Sequence, residues 1–306
     1  MAASLQAPAA LRPGDRVHVI APSGPFDLAG LEAGLDILRE AGLEPVWRPL
    51  GASERYFAAA DGARLAQLEA ALSDPDCRCI WAARGGYGAA RLLPHLAAAQ
   101  VRTANRWLVG YSDITALHAL WAQAGLMSVH AANLLGLADW EAAERQQIFS
   151  WLLARPAPAP SWPVQVLRAG ASPVVDGRLW GGNLAVMTSL VGTGRLPASV
   201  GSLLFLEEVD EAPYRLDRML TQLHQAGVLT GVRAVLLGQL TRCAYADGDD
   251  GPRGSALAAI LAALPAALPV VAGLPIGHET ASAPLLLGAE ARLDFAAGRL
   301  SLAAPG

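Results

Sequence analysis

The sequence predicts an α/β protein of two domains, and three observations lead to this prediction. Apolar runs typical of strands alternate with helical patterns through the first half of the 306 residues, the order expected of a parallel sheet covered by helices. Residues 155–163 then contain four prolines, a composition that disfavours both helix and central strand. Beyond them the pattern is less regular, which indicates a smaller mixed α/β domain. We therefore place the domains at residues 1–158 and 159–306.

The elements of the first half follow from hydrophobic spacing and from turn residues. Leu31, Leu35 and Leu38 lie on one helical face, and Gly42 ends that helix. By the same criteria, strands are predicted at 16–21, 44–50, 77–83 and 107–110, and helices at 28–41, 58–72, 85–96 and 114–124. In the second half, strands are predicted at 164–167, 203–206, 234–237 and 270–272, and helices at 184–191, 214–226 and 255–263.

The composition limits the functions that this chain can have. Hydrophobic residues make up 53% of the chain, which is enough to bury a large core. The net charge is -4 and predicts no basic face, so we expect no nucleic-acid partner. All 23 Lys and Arg positions are Arg, which excludes a lysine base, a lysine Schiff base and a lysine phosphate ligand. The three cysteines are too few for a disulfide framework, and we expect buried free thiols.

Targeting and metal-binding signals are not apparent in the sequence. The first residues lack a basic region followed by a long apolar stretch, so we expect no signal peptide. No uninterrupted apolar run reaches about 18 residues, so we expect no membrane partner and a cytoplasmic protein. Neither H-E-x-x-H nor paired C-x-x-C occurs, and we expect no metal and no cofactor.

Ser112 lies between the strand predicted at 107–110 and the helix that follows it. A serine on such a turn exposes its hydroxyl at the carboxyl edge of the sheet, beside N–H groups that can bind an oxyanion. The segment resembles a nucleophile elbow, although Ile114 replaces the second glycine of G-x-S-x-G. The alternative is that Ser112 or Asp113 only caps the helix.

A glycine-rich segment at 84–88 follows the strand predicted at 77–83. Its glycines allow positive φ angles and a close approach to a ligand, and the following helix start favours an anion. Arg91 replaces the third small residue of a dinucleotide fingerprint, and the Gly-Lys-Ser/Thr of a phosphate loop is missing. A tight turn with only a structural role is the alternative.

Glu207 and His278 each follow a predicted strand of the second half. A carboxylate at the end of an apolar strand implies a cationic or hydrogen-bonding partner, which could be an arginine or a catalytic base. Glu208, Asp210 and Glu211 are expected to be solvated or to cap a helix. His278 follows Gly277 on a loop, and histidine is the usual base near neutral pH, but a surface role is the alternative.

Six segments, taken together, carry a resemblance to a known family. They are Ile20-Ala21-Pro22-Ser23-Gly24, Arg84-Gly85-Gly86-Tyr87-Gly88-Ala89, Gly110-Tyr111-Ser112-Asp113-Ile114-Thr115, Trp180-Gly181-Gly182-Asn183-Leu184, Leu206-Glu207-Glu208 with Pro213-Tyr214-Arg215, and Gly277-His278. In this order and spacing they resemble the LD-carboxypeptidase family of serine peptidases, which includes the microcin C immunity proteins. The resemblance covers nearly the whole chain.

The resemblance implies a flavodoxin-like N-terminal domain with the nucleophile and a smaller C-terminal domain with Glu and His. By motif matching, Ser112 is the nucleophile, His278 the base and Glu207 the residue that orients the base. Backbone N–H groups of Asp113 and Gly86 are the implied oxyanion donors. Arg84, Trp180 and Asn183 are candidate substrate-binding residues because of their positions in the motifs. For Arg84, pairing with a nearby carboxylate is an alternative, and for Trp180 it is packing.

The implied reaction is release of the terminal D-alanine from a murein tetrapeptide during cell-wall recycling, by a homodimeric enzyme. A microcin-immunity-like peptidase that cleaves a peptidyl- or aminoacyl-nucleotide is an alternative with the same three residues. Two other classes are a non-catalytic two-domain binding protein and a nucleotide-dependent enzyme. The missing export signal disfavours the first, and the absence of lysine and of a dinucleotide fingerprint disfavours the second.

Overall fold

The structure, a computed structural model, describes residues 5–245, 254–279 and 281–303. These residues form two compact units. The N-terminal unit comprises Leu5–Ala157 and Ala283–Leu287, and the C-terminal unit comprises Pro158–Ser282 and 288–303. In the described part of the chain, no helix combines the length and the apolar character needed to cross a membrane.

The N-terminal unit is built on a six-stranded sheet of order β12-β5-β4-β3-β1-β2. Its strands are β1 (Arg16–Ile20), β2 (Glu44–Trp47), β3 (Cys77–Ala82), β4 (Trp107–Gly110), β5 (Ser128–His130) and β12 (Leu285–Leu287). The first five run parallel, and β12 pairs antiparallel with β5. Because both faces are covered, the inner strands β1, β3 and β4 are almost continuously buried, as the apolar runs predict, whereas the edge strand β2 is only half-buried.

The helices of the N-terminal unit connect these parallel strands. They are α1 (Leu31–Glu40), α2 (Asp61–Ser73), α3 (Ala98–Ala104), α4 (Thr115–Ala124) and α5 (Ala142–Leu152), with 3-10 turns at Leu28–Gly30, Ala89–His95, Ser112–Ile114 and Leu134–Asp139. The helix predicted at 85–96 is therefore wrong, because the chain forms a 3-10 helix that begins only at Ala89. Glycines before it and Pro94 within it disfavour a regular α-helix.

The C-terminal unit is built on a mixed eight-stranded sheet of order β6-β14-β13-β8-β9-β10-β11-β7. Its strands are β6 (Ser161–Pro163), β7 (Gln165–Arg168), β8 (Val174–Asn183), β9 (Ser202–Val209), β10 (Ala234–Thr241), β11 (Val270–Ala272), β13 (Glu290–Asp294) and β14 (Arg299–Leu302), and its helices are α6 (Leu184–Ser189), α7 (Pro213–Gln225) and α8 (Ala256–Ala263). Strands β8 to β11 run parallel and form the centre, while the outer strands pair antiparallel.

Glycine allows two central strands of this sheet to come close. Gly181 of β8 has a φ of 144°, and a Cβ there would stand 1.8 Å from the carbonyl oxygen of Phe205 in β9. Any side chain at this position would therefore separate the two strands. The pairing continues to Asn183, which lies opposite Glu207. The glycines thus bring the end of β8 beside the carboxylates of β9.

Candidate functional site

The turn that carries Ser112 has an unusual backbone. Strand β4 ends at Gly110, whose φ is 156°, and a Cβ there would lie 2.9 Å from both Asn133 and Ile114. The φ of Ser112 is 64°, a left-handed value that costs a residue other than glycine on the order of 1–3 kcal/mol. Such strain persists only where the surroundings enforce it. Ile114, which replaces the second glycine of the predicted elbow, is buried in the space that Gly110 leaves open.

The glycine-rich loop at 84–88 lies directly against Ser112. A Cβ on Gly85 would stand 3.0 Å from Cβ and 3.2 Å from Oγ of Ser112. Gly86, with a φ of 110°, has its backbone against Gly24, whose N–H donates to the Gly85 carbonyl over 3.1 Å. A side chain on Gly85 would press against Ser112, and one on Gly86 would press against Gly24, so glycine at both positions lets the loop pack this closely.

Two buried side chains that the sequence analysis did not select hold this turn. Asn133 Oδ1 accepts from the Tyr111 N–H over 3.2 Å. His118 Nε2 lies 2.9 Å from the Gly110 carbonyl, which can only accept, so this nitrogen carries the proton and Nδ1 accepts from Ser128 Oγ over 2.8 Å. Burial lowers the pKa of His118 to about 4, so the ring is neutral near pH 7. The sequence around His118 predicts only a helix, so it did not indicate that this histidine bonds the turn of Ser112.

The Asp113 side chain does not cap its own helix. Its carboxylate is buried and accepts from the Ser23 hydroxyl over 2.6 Å and from the Ala89 N–H over 2.8 Å. Burial raises the pKa of this carboxyl group, and the hydrogen bonds from Ser23, Ala89 and the Gly88 N–H oppose that rise. The capping alternative is therefore wrong for Asp113, whose carboxylate bonds Ser23 and Ala89 instead. Tyr111 and Ile114, which directly precede the 3-10 turn and α4, make no side-chain capping bond.

Arg84 is exposed at the start of the glycine-rich loop. One of its guanidinium nitrogens donates to the Pro25 carbonyl in the loop after β1. The structure therefore gives this arginine a backbone partner, where the sequence analysis considered a carboxylate. This contact connects the start of the glycine-rich loop to the loop after β1. The guanidinium of Arg84 stays at the surface of the N-terminal unit.

In the C-terminal unit, Glu207 and His278 form a hydrogen-bonded pair. Glu207 is completely buried near the end of β9, and its Oε2 lies 2.7 Å from Nδ1 of His278. Since a carboxylate only accepts, Nδ1 carries the proton, and Nε2 is the basic nitrogen of the ring. The His278 side chain is 14% exposed. A buried carboxylate thus fixes both the tautomer and the orientation of the imidazole.

Gln239 holds the loop that carries His278, a role that the sequence analysis missed. Its Oε1 accepts from the Glu279 N–H and its Nε2 donates to the Ala281 carbonyl, both over 2.9 Å. Gly277, before the histidine, has a φ of 155°, and a Cβ there would stand 2.8 Å from the Gln239 side chain. Thr280 lies outside the described residues. A single glutamine therefore contacts the loop on both sides of the histidine.

Glu208 lies beside the pair but bonds to another part of the unit. Its carboxylate accepts from Asn183 Nδ2 over 2.9 Å, from the Ala185 N–H over 2.7 Å and from the Val209 N–H over 2.9 Å. Glu208 is 2% exposed, and burial raises its pKa to about 7. The expectation of a solvated Glu208 is wrong, while the expectation of a cap is confirmed by its bond to the first turn of α6.

The remaining predicted substrate-binding residues are both buried. Asn183 caps α6, since its Oδ1 accepts from the Val186 N–H over 3.1 Å, while its Nδ2 donates to Glu208. Trp180 is 3% exposed on β8. A contact of either residue with substrate stays a prediction.

The geometry brings the predicted site residues together in two groups. The N-terminal unit places Ser112 and Asp113 beside the loop of Gly86, and the C-terminal unit pairs Glu207 with His278. The first group can present a hydroxyl and backbone N–H groups, and the second can accept and return a proton. Among the residues that the structure describes, no three His, Cys, Asp or Glu side chains are grouped so as to hold a metal ion.

Comparisons with known sequences match both halves of the chain to one family. A family model described as the LD-carboxypeptidase N-terminal domain matches residues 17–131, and one described as the LD-carboxypeptidase C-terminal domain matches residues 176–293. The murein tetrapeptide carboxypeptidase of Pseudomonas aeruginosa is 38% identical over 240 residues, which cover 74% of this chain and 77% of that protein.

Solved structures with the same fold confirm the predicted fold class. The muramoyltetrapeptide carboxypeptidase from Oxalobacter formigenes has a TM-score of 0.81 at 30% identity, over 94% of this chain and 97% of that chain. The microcin C7 self immunity protein MccF, in complex with aspartyl sulfamoyl adenosine, has a TM-score of 0.82 over 98% of both chains. Its identity is 23%, so this likeness concerns the fold alone.

Proposed function

This chain belongs to the LD-carboxypeptidase family, and from that premise we propose that it hydrolyses the L,D-peptide bond that holds the terminal D-alanine of murein tetrapeptides. Family membership makes it a serine-type carboxypeptidase. The substrate proposal is supported by the relatives named for murein tetrapeptide and muramoyltetrapeptide. The corresponding role is cell-wall recycling in the cytoplasm, by a homodimer.

The contact between Glu207 and His278 is the observation that carries the proposed mechanism. A buried carboxylate 2.7 Å from Nδ1 is the arrangement that prepares an imidazole to act as a general base through Nε2. It also stabilises the imidazolium that forms when the base takes a proton. Burying an ionised carboxylate is costly, so such a pair requires a reason beyond stability.

In the proposed reaction, His278 takes the hydroxyl proton of Ser112 as the serine oxygen attacks the peptide carbonyl. The imidazolium then returns this proton to the amine of D-alanine, which leaves as the peptide bond breaks. A water molecule then attacks the resulting ester while His278 takes its proton, and the imidazolium returns that proton to the serine oxygen as the ester bond breaks, which regenerates the serine and releases the acid. The strained turn at Ser112 supports this role, because an exposed nucleophile on such a turn is typical of serine hydrolases.

We assign the oxyanion to the backbone N–H groups of Asp113 and Gly86. Each such donor is worth about 3 kcal/mol in the transition state. The close packing of the glycine-rich loop on Ser112 supports this assignment, since Gly85 lies against the serine side chain. Backbone donors require no particular side chain, but they do require that the loop come close, which glycine permits.

We further propose that Arg84 binds the terminal carboxylate of the substrate and that Trp180 and Asn183 contribute to the substrate pocket. The exposed position of Arg84 beside the glycine-rich loop supports its part in this proposal. A guanidinium matches a carboxylate with two parallel hydrogen bonds. The domain with the nucleophile would comprise residues 1–158 together with β12 at 283–287, which the predicted division had assigned to the second domain, and the rest of residues 159–306 would carry Glu207 and His278.

A product assay tests this function directly. The purified protein is incubated with the tetrapeptide L-Ala-γ-D-Glu-meso-diaminopimelate-D-Ala, and free D-alanine is measured by mass spectrometry. The tetrapeptide with a terminal L-alanine is the matched control. We expect release of D-alanine and little release of L-alanine, and the reverse preference would contradict the proposal.

A second substrate in the same assay separates the alternative function. Aspartyl sulfamoyl adenosine tests for a peptidase of the microcin-immunity type, which the shared fold with MccF leaves open. Hydrolysis of this compound without release of D-alanine from the tetrapeptide would replace the proposed function by that alternative.

A further inference from the structure

Three loops meet around Ser112 in the N-terminal unit, and each follows a parallel strand. The loop after β1 contains Ser23 and Gly24, the loop after β3 contains the glycines at 85, 86 and 88, and the turn after β4 contains Ser112 itself. The Gly24 N–H donates to the Gly85 carbonyl over 3.1 Å, and Gly85 lies against Ser112. The mutual placement of these loops therefore decides where their N–H groups stand relative to the serine.

One carboxylate oxygen joins all three loops. Oδ2 of Asp113, on the turn after β4, accepts from the Ser23 hydroxyl over 2.6 Å and from the Ala89 N–H over 2.8 Å. Ser23 is fully buried and Asp113 is 2% exposed. Ala89 comes directly after the glycine-rich segment, so its bond holds the far end of that loop. A short, buried, charge-assisted pair of hydrogen bonds is a stiff connection.

Stability alone does not account for a carboxylate at this position. Its hydrogen-bond partners are the Ser23 hydroxyl and the backbone N–H groups of Ala89 and Gly88, all of which are neutral, and Arg64 acts only as a more distant charge. Burial has the largest effect on the pKa of this carboxyl group and raises it, as expected when the charged form is penalised. A neutral side chain could accept similar bonds at a smaller desolvation cost.

We infer that the Asp113 side chain is a positioning residue that sets the spacing between the two oxyanion donors, its own N–H and that of Gly86. The inference rests on the proposed function. The carboxylate connects the turn that carries one donor to the loop that carries the other. Without it, both N–H groups remain present, but the glycine-rich loop loses its attachment to the nucleophile turn.

The test compares variants of these contacts in the full-length enzyme. Asp113→Ala removes every hydrogen bond of the carboxylate, Asp113→Asn keeps the shape but not the charge, and Ser23→Ala removes one partner. Asp74→Asn is the matched control, because Asp74 also accepts a hydrogen bond in this unit, from His18 over 2.7 Å. Release of D-alanine gives kcat and KM. A second measurement needs no peptide substrate. It is the rate at which a fluorophosphonate labels Ser112, measured by intact-protein mass spectrometry, and this rate also depends on the two oxyanion donors.

The expected pattern is a loss in kcat rather than in KM. Loss of one well-placed oxyanion donor costs about 100-fold or more, so we expect about 100-fold for Asp113→Ala, about 10-fold for Asp113→Asn and less for Ser23→Ala. The labelling rate should fall in the same order, while KM and the Asp74→Asn control stay near wild type. A residue with only a structural role would lower the unfolding temperature and leave kcat per folded molecule unchanged.

The decisive outcome is the behaviour of a folded variant. If Asp113→Ala does not fold, Asp113→Asn decides, and a folded Asp113→Asn with wild-type kcat and labelling rate overturns the inference. Ser112→Ala separates this failure from failure of the proposed function. Loss of activity in Ser112→Ala together with full activity in Asp113→Asn refutes only the positioning role, whereas retained activity in Ser112→Ala refutes the nucleophile itself.

Discussion

The turn that carries the proposed nucleophile Ser112, in the N-terminal unit, and the Glu207–His278 pair of the C-terminal unit are built in opposite ways. The turn is local: five consecutive residues, Gly110 to Ile114, produce a strained φ of 64° at Ser112. The pair is non-local, since its residues are 71 positions apart and meet because β9 and the loop after β11 end at the same edge of one sheet. Backbone strain places the serine, and a buried side-chain hydrogen bond places the imidazole.

This difference predicts different sensitivities to substitution. The turn depends on glycines and on backbone contacts, so it should be damaged by added Cβ atoms more than by changes of charge. The pair depends on one carboxylate, so it should be damaged by an isosteric change of charge that leaves the backbone intact. Four experiments test this contrast, and they begin with the largest expected effect.

Replacement of the proposed nucleophile, Ser112, should have the largest effect. We expect Ser112→Ala to lower kcat for D-alanine release by about 10⁴-fold or more, because no other hydroxyl would form the acyl-enzyme. Substrate binding, measured by isothermal titration calorimetry, should change little. Ser128→Ala serves as the control, since Ser128 is a buried serine of the same unit that bonds His118. Equal losses in the two variants would show that the effect is structural.

Adjacent carboxylates offer a matched comparison in the C-terminal unit. Glu207→Gln should lower kcat by about 10³- to 10⁴-fold, because an amide no longer fixes the tautomer of His278 or stabilises its cation. Glu208→Gln makes the same chemical change one residue later and should leave kcat within about 3-fold, since Glu208 bonds Asn183 and α6 instead. Steady-state kinetics at pH 7 measure both. A larger loss in Glu208→Gln would contradict the assignment of the orienting residue.

An added methyl group should disturb the turn without any change of charge. Gly86→Ala places a Cβ 3.3 Å from the Gly24 backbone at a φ of 110°, so the loop must move. We expect kcat to fall about 10- to 100-fold as the oxyanion donor shifts.

Gly125→Ala is the control for backbone strain alone, because its φ is 82° and a Cβ there meets no atom within 4 Å. That variant should lose stability but keep kcat. Wild-type kcat in a folded Gly86→Ala variant would show that the activity does not depend on the close packing of Gly86 against Gly24.

The two units should also respond to pH in opposite directions. Burial lowers the pKa of His118 to about 4, so the unfolded chain binds more protons and the N-terminal unit loses stability as pH falls from about 6.5 to 4. Burial raises the pKa of Glu208 to about 7, so the folded chain binds more protons and the C-terminal unit loses stability as pH rises from about 4.5 to 7. Each effect should be about 3 kcal/mol, since each pKa differs by about 2.5 from its ordinary value.

Hydrogen exchange measured by mass spectrometry resolves the two units separately. His118→Gln should remove the acid-side loss from the N-terminal unit, and Glu208→Gln should remove the loss at higher pH from the C-terminal unit. When the profile of wild type is subtracted from that of each variant, the contributions of the other titrating groups to the pH dependence cancel. Unchanged pH profiles in both variants would show that other groups control the stability of these units.

The fold of the N-terminal unit could be predicted because its strands are apolar runs of the expected length.

The strands of the C-terminal unit were harder to predict. Strand β9 was predicted to end at Leu206, but it continues to Val209, so Glu207 lies within the strand. The charge of Glu207 led to the prediction that the strand ends before it. The sequence does not show that His278, 71 positions later, bonds this buried carboxylate. Strand β8 was missed because glycine is unfavourable in strands, yet Gly181 is what allows the close pairing with Phe205.

The site was predictable where its signals are local. The glycines around 85 and the strand-turn-helix at Ser112 are visible in the sequence, whereas Gln239 and Asn133 act through contacts with residues distant in the chain. The residues that flank them in the sequence give no sign of these roles. The Asp113 carboxylate is intermediate: its position beside the serine drew attention to its N–H, but its partners Ser23 and Ala89 become apparent only in three dimensions.

Strand β12 has a consequence for how this protein can be divided. Residues Ala283–Leu287 belong to the N-terminal unit although they follow nearly all of the C-terminal unit in the chain. A gene fragment that stops at the proline-rich segment would leave β5 as an uncovered sheet edge, and such edges promote self-association. Engineers who wish to express the first unit alone would need to graft residues 283–287 onto it, for example through a short linker in a circularly permuted design.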